Sequence, residues 1–478
     1  MVRRHQRSRQ PMGGGYEPPS ARRIVARTPR PAPSGRRNGS LMTAHSAGTR
    51  SSIAEPVMCT ASPSTIDPLD AFAEACRTGE NATYWERPDD GFAFAAIGAA
   101  AELAVCGPDR FSAAVEWLKT IAGHGGDHAG TTWPDPSRPL IVAGFSFDHL
   151  VGESSPWHDF GAANLTVPRT AVVRTACASW RQTNIGAGSV DRRGAGNGLR
   201  RLSSEPPADR SRASWERLVE RAVAAIDTGP LEKVVLARTM TASSPLTATP
   251  ERCIAALRNA FPHCAIFAVR RGPRTFVGAS PERLVRCRVG EIEVSALAGT
   301  ARRGDDDEDD ARIGEAFLAN AKDRHEHAIV VRMLVGSLRH LCDRLDWPTT
   351  PELLRMRNAQ HLHTPIRGSL RVGNGILDVV AALHPTPAVG GWPADEARAF
   401  IAENEGIDRG WYASPVGWMS GPDAGEFVVG LRSALLHDNG TAQLFAGNGI
   451  VADSDPGAEY EETRLKLRPM LEALGVTE

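Results

Sequence analysis

Lys233 stands inside Leu231-Glu-Lys-Val-Val-Leu-Ala-Arg238, an ammonium among branched apolar neighbours. Desolvation there disfavours the charged form and turns the amine towards a base, while strand alternation equally allows it to face solvent. Glu282 closes Val277-Gly-Ala-Ser-Pro-Glu282, after a strand and a proline turn. A carboxyl so placed can face a cleft and donate a proton if its pKa is raised; a solvated turn glutamate is the other reading. Glu326, in Asp323-Arg-His-Glu-His327, either faces inward and needs a cation or joins a charged helix face. Ile329 stands where H-E-x-x-H needs its second histidine, which excludes a metalloprotease zinc site. Glu459 and Glu462, three apart after Pro456, share one face of a helix start. Their repulsion is relieved by the helix dipole or by a hard cation such as Mg²⁺, which is served by one or two carboxylates plus an anionic ligand. Lys466, one turn on, can pair with Glu462 or reach a substrate carboxylate. Gly447 and Gly449, in Phe445-Ala-Gly-Asn-Gly-Ile-Val451, read as a glycine-rich turn whose N–H groups suit a carboxylate, and Arg432 can grip one with two parallel hydrogen bonds. With His384-Pro-Thr-Pro-Ala-Val-Gly-Gly391, these segments outline a site for a small dianion and a metal.

The elements that must position them are mixed. Thr83 to Gly98 reads as two strands around Asp89-Asp-Gly91, and Pro139 to Phe147 as another. Ser214 to Asp227 has helical spacing, and Glu232 to Arg238 is a compact strand. Cys264–Arg270, Thr275–Ala279, Arg283–Val289 and Glu291–Leu297 follow as strands, the last two linked at Gly290. One long helix is expected over roughly Asp310 to Leu345, capped by the acidic run Asp305–Asp310. Glu426–Leu436 and Thr441–Phe445 flank Asp438-Asn-Gly440, a hairpin signal. Hairpins interspersed with helices favour α+β layering over a doubly wound parallel sheet.

Composition bounds the rest. The 478 residues are 41% hydrophobic and 23% charged with a formal net charge of -1, ordinary values for a globular enzyme. No whole-molecule field attracts nucleic acid or an anionic membrane. Eight cysteines without a C-x-x-C pair read as reduced thiols rather than a zinc ribbon. No apolar run reaches the ~20 residues of a membrane span. Residues 1 to about 55, with Glu17 and Glu55 as their only acids, are expected to be disordered; such a basic tail also suits a transit peptide or loose nucleic-acid contact. Residues 60–478 then form the catalytic domain, with a Gly/Arg-rich surface loop at 186–209 between two halves. Gly194-Ala-Gly-Asn-Gly-Leu199 lacks the sixth glycine of a dinucleotide fingerprint.

Taken in order, Lys233, Gly278-Ala-Ser-Pro-Glu282, Leu297-Ala-Gly-Thr-Ala-Arg-Arg303, Asp323–His327, His384–Gly391, Phe445–Gly449 and Glu459-Tyr-Glu-Glu462 make the chain resemble the chorismate-utilising enzymes and, among them, the isochorismate synthases. The likeness covers residues 210–475 and extends weakly back to 80. It implies an α+β fold, a large sandwich with central antiparallel sheets and outer helices. It implies that Lys233 activates a water for attack at ring C2 while Glu282 protonates the departing C4 hydroxyl. Glu326 and Glu459 would hold Mg²⁺ with Glu462 nearby, and the ion would anchor the ring carboxylate. Arg432 and the Gly447 backbone would take the enolpyruvyl carboxylate. Thr300 and His384 would line the pocket beside Lys466, and Ala388, Val389, Tyr412, Leu431 and Phe445 its apolar wall. Chorismate is then the substrate, with no redox cofactor, no glutaminase subunit and a monomeric cytoplasmic enzyme of siderophore or menaquinone biosynthesis. Salicylate synthases share the lysine and glutamate but go on to eliminate pyruvate, usually with another sequence at residues 384–389; the Thr-Pro-Ala stretch favours isochorismate as product. The rival from another class is a non-catalytic protein binding nucleic acid through its basic tail.

Overall fold

The computed structural model describes residues 57–121, 133–186, 190–193, 211–243, 249–355 and 359–476. The basic segment 1–55 and most of the 186–209 loop lie outside the described residues. Among the described residues two sheets of 11 strands each dominate, antiparallel apart from one parallel pairing. Phe267 and Val269 join the core that also holds Leu165 and Trp418 of the other sheet, while their neighbours Ile266 and Ala268 join a second core under three helices. Period-2 alternation with both faces apolar therefore makes this central strand a wall between two cores. The helices Pro68–Arg77, Pro250–Ala260 and Pro456–Ala473 close the second core through Phe72, Ile254 and Met470. This is the α+β layering expected from the hairpin pattern, in the form of the large sandwich that the resemblance implied.

Both sheets run across the two halves of the chain. Ala82–Arg87 pairs with Ala265–Arg271 in one, and Ile141–Phe145 with Pro415–Met419 in the other. The Asn-Gly hairpin forms as expected, with Gly440 at φ 82°. No described helix is long and apolar enough to cross a membrane.

Four expectations are corrected. The long helix breaks at Asn320 into Asp307–Ala319 and Ala321–Leu338, and Cys342–Asp346 is a strand. The Asn320 side chain accepts from the Lys322 N–H (2.9 Å), starting a new helix where apolar periodicity alone predicts continuation. Glu426–Leu436 is two strands, Ala424–Val429 and Ser433–His437, in different sheets. The glycine-rich turn is the end of a strand, Thr441–Ile450, because its glycines keep extended backbone. Part of the surface loop is a strand as well, Val190–Arg193, parallel to Ala101–Val105.

Candidate active site

Two chain segments cross between the sheets side by side. Arg274–Ser280 belongs to one sheet and Arg283–Arg288 to the other, with Pro281-Glu282 as the corner. Running the opposite way, Gly430-Leu431-Arg432 joins Ala424–Val429 to Ser433–His437, with Arg432 at φ 48°. The corners are tied together. Ala279 N–H donates to the Arg432 carbonyl (3.1 Å), Val429 N–H to the Glu282 carbonyl (3.0 Å), and the Ser280 hydroxyl to the Val429 carbonyl (2.6 Å). Glu282 and Arg432 thus reach one cavity of about 210 Å³ from adjacent corners.

Of the residues singled out in the sequence, that cavity is lined by Glu282, Ala388, Val389, Tyr412, Leu431, Arg432, Phe445, Gly447 and Lys466. Tyr412 stacks on Phe445 with ring centroids 5.1 Å apart, an aromatic wall. Burial lowers the Arg432 guanidinium pKa, with Cys264, Tyr412 and Glu462 opposing. Among the described residues that guanidinium has no hydrogen-bond or ion-pair partner, which suits an anionic ligand.

Gly447 shows how the strand serves the cavity. The neighbouring strand Ser433–His437 leaves at Phe445, opening an edge beyond it. Opposite Gly447 stands Ala237, whose N–H goes to the Glu405 carboxylate (2.8 Å), and the Gly447 carbonyl is taken by Lys466 Nζ (3.0 Å). This is a non-hydrogen-bonded pair, so the Gly447 N–H points to the open edge with its carbonyl.

Lys233 begins the strand Lys233–Ser243. It lies behind the lining: a Cβ on Gly449 would stand 2.7 Å from its Cε and 3.3 Å from its Nζ. Burial lowers its pKa, opposed by Glu326 and Glu282 and helped by Lys466. Burial likewise raises Glu282 to about 7, against the pull of Lys233. Both groups are pushed towards their neutral forms, the pattern of a base and an acid.

His384 is placed elsewhere than the resemblance implies. It sits outside the lining, between the rings of Phe111 and Phe147 (6.0 Å each), and burial lowers its pKa to about 3. Thr300 lies in the strand Glu291–Arg302, its side chain outside the described residues. Glu326 is exposed and its neighbour His327 is the buried one, bonded to Thr364 (2.8 Å); Glu326 reaches the site through its charge on Lys233. Glu459 accepts from Ser454 and Asn448, both at 2.8 Å. Its pKa is raised by burial and by Glu462, and Glu462 pairs with Lys466 (2.7 Å). Among the described residues no three His, Cys, Asp or Glu side chains are gathered closely enough to hold a metal alone.

Sequence reasoning missed a buried ion pair. Arg409, part of the lining, binds both Glu405 oxygens (2.6 and 2.5 Å) and donates to the carbonyls of Val389 (3.0 Å) and Val235 (2.7 Å). It fastens the segment carrying Ala388 to the strand carrying Lys233. The spacing Glu405-x-x-x-Arg409 was the available signal. Leu297, Ala298 and Gly299, from the motif Leu297–Arg303, also line the cavity, and so does His361, which carries no local motif of its own.

A family model described as a chorismate binding enzyme matches residues 43–475. The chain belongs to the chorismate-binding enzymes. This chorismate-binding enzyme is 40% identical over 429 residues to a Pseudomonas aeruginosa protein named salicylate biosynthesis isochorismate synthase, a match covering 86% of this chain and 88% of that one. A Bacillus subtilis isochorismate synthase is 38% identical, with 70% and 75% covered. Its fold matches the menaquinone-specific isochorismate synthase of Escherichia coli with a TM-score of 0.71 and 27% identity over 88% of this chain and 95% of that one. Anthranilate synthase component I of Streptococcus pneumoniae, at 21% identity and TM-score 0.63 with 80% and 92% covered, shares the fold.

Proposed function

We propose that the chain is an isochorismate synthase, an isomerase that adds water at C2 of chorismate and releases the C4 hydroxyl, with Mg²⁺ as cofactor. The observation that carries the reading is the pair Lys233 and Glu282, each held towards its neutral form by burial, with Glu282 in the cavity wall and Lys233 behind the lining beside Gly449. Neutral Lys233 takes a proton from the attacking water, and protonated Glu282 gives one to the leaving hydroxyl. Arg432 and the Gly447 N–H receive one substrate carboxylate. Tyr412, Phe445, Val389 and Leu431 supply apolar walls that exclude water from the ring.

The donor set suits Mg²⁺. Glu459 and Glu462 are hard oxygen donors that repel each other, and Mg²⁺ takes one or two carboxylates, keeping waters or substrate oxygens for the rest. Glu459, Glu462 and Glu326 would hold it, and when bound it neutralises the second substrate carboxylate.

Incubation with chorismate and Mg²⁺ followed by product separation tests the reading: isochorismate accumulates. Salicylate with stoichiometric pyruvate as the end products would overturn it in favour of a salicylate synthase. Product formation in siderophore or menaquinone supply depends on the organism's downstream enzymes.

A further inference from the structure

A second hollow, of about 10 Å³, adjoins Glu282 without being lined by Arg432 and shares with the main cavity only Glu282, Leu297 and Ala388. Its volume is that of one water. Its walls are mostly apolar, including Val330 and Leu334, but Arg283 and two hydroxyl-bearing residues, Thr386 and Ser295, are among them. Thr386 is 7% exposed and its Oγ1 is buried with no hydrogen-bond partner among the described residues. A buried hydroxyl without a partner costs free energy, and a water in the hollow would satisfy it. Ser295 leads outward. Its Oγ stands 3.3 Å from Nε2 of His363, whose Nδ1 is 2.9 Å from the exposed carboxylate of Glu352.

We propose that this hollow is the proton-return route of the enzyme: one water links the Glu282 carboxyl to Thr386 and Ser295, and His363 and Glu352 relay protons from the surface. The inference rests on Glu282 being the acid of the proposed reaction. Each turnover leaves Glu282 one proton short and Lys233 one proton rich, so the total balances but the charges sit on the wrong groups. While ligand fills the main cavity, Glu282 cannot be reached through it. Along the relay, a proton enters at His363 Nε2, passes through the Ser295 hydroxyl and the water, and restores the carboxylic acid. Lys233 sheds its own proton to solvent, which closes the cycle. A Glu282 titrating near 7 accepts such a proton at neutral pH without holding it too tightly.

The test uses the full chain with chorismate and Mg²⁺, comparing Ser295→Ala, Thr386→Val and His363→Ala with the parent at low buffer concentration. The relay predicts a fall in kcat on the order of tenfold with KM unchanged, a larger solvent deuterium effect on kcat, and recovery of His363→Ala by added imidazole. Thermal melts identify any variant that is merely misfolded, and Ser295→Ala, which removes one oxygen, keeps the test alive if His363→Ala does not fold. Full kcat in Ser295→Ala and His363→Ala overturns the relay. So does a reduced kcat that ignores imidazole and shows the parent's deuterium effect, since that marks a structural loss. Glu282→Gln separates the two layers: if it turns over normally the acid assignment fails, whereas if it is dead while the relay variants run at full rate only the relay fails.

Discussion

At the residue scale two groups, Lys233 and Glu282, are held away from their usual charge, and the proposed mechanism turns on them. The Glu282 carboxyl titrates near 7 rather than at 4.5. A raised carboxyl contributes its stability fully below the ordinary value and loses it as pH rises through 7. Glu282→Gln should therefore unfold at the parent's urea midpoint at pH 4 and be more stable by roughly 1–3 kcal/mol at pH 8, while kcat falls by about 10²–10⁴. Equal stability at both pH values would show that the carboxyl is not held protonated. The partner lysine can be tested without touching it. Gly449 has no left-handed backbone, and an added Cβ crowds the flexible end of Lys233 while making an ordinary contact with Val235. Gly449→Ala should keep or slightly raise the melting temperature, since alanine restricts the unfolded chain, and lower kcat on the order of 10²-fold by displacing the amine. A parent-like kcat would mean that the Lys233 amine works from another position.

At the scale of elements, the site is made where strands stop obeying the ladder. Glu282 and Arg432 are free to face a cavity because the chain turns from one sheet to the other at those positions. The strand Lys233–Ser243 has a neighbour at Gly391–Trp392 for only two residues, and beyond it Glu405 and Arg409 take over the edge. Removing one member of a buried ion pair leaves an uncompensated charge and orphaned carbonyls. Arg409→Leu should lower stability in urea by about 3–5 kcal/mol, and Arg409→Lys by less, because an ammonium lacks the planar fork. A loss under about 1 kcal/mol for Arg409→Leu would show that the fastening is dispensable.

At the scale of the whole molecule, both halves of the chain contribute strands to each sheet, and Glu282 and Arg432 lie at the crossings between the sheets. Ligand binding should then stabilise the entire fold. With Glu282→Gln, whose expected slow turnover spares the ligand, chorismate at a hundredfold excess over its Kd should add about 2.7 kcal/mol, read as a rise in melting temperature. Chelating Mg²⁺ should shrink that rise. A chorismate shift indifferent to chelation would remove the metal from substrate binding.

The amino-acid sequence by itself determined the elements and the chemistry of single segments. Alternating apolar positions marked the strands, Asp438-Asn-Gly440 marked the hairpin, and Lys233 in a greasy strand and Glu282 after a proline offered a base and an acid, with a solvent-facing reading open for each until the resemblance assigned the roles. The ordered motifs added the family, which the match over residues 43–475 bears out. Only the tertiary structure decided what depends on distant partners. It bent Glu426–Leu436 across two sheets, kept the glycines of Phe445–Gly449 in a strand, and broke the long helix at Asn320. It packed His384 among rings and brought in Arg409, His361 and the hollow behind Glu282. Periodicity is a local property of neighbouring residues, whereas burial, desolvation and hydrogen-bond completion are set by segments hundreds of residues apart that meet only when both sheets close.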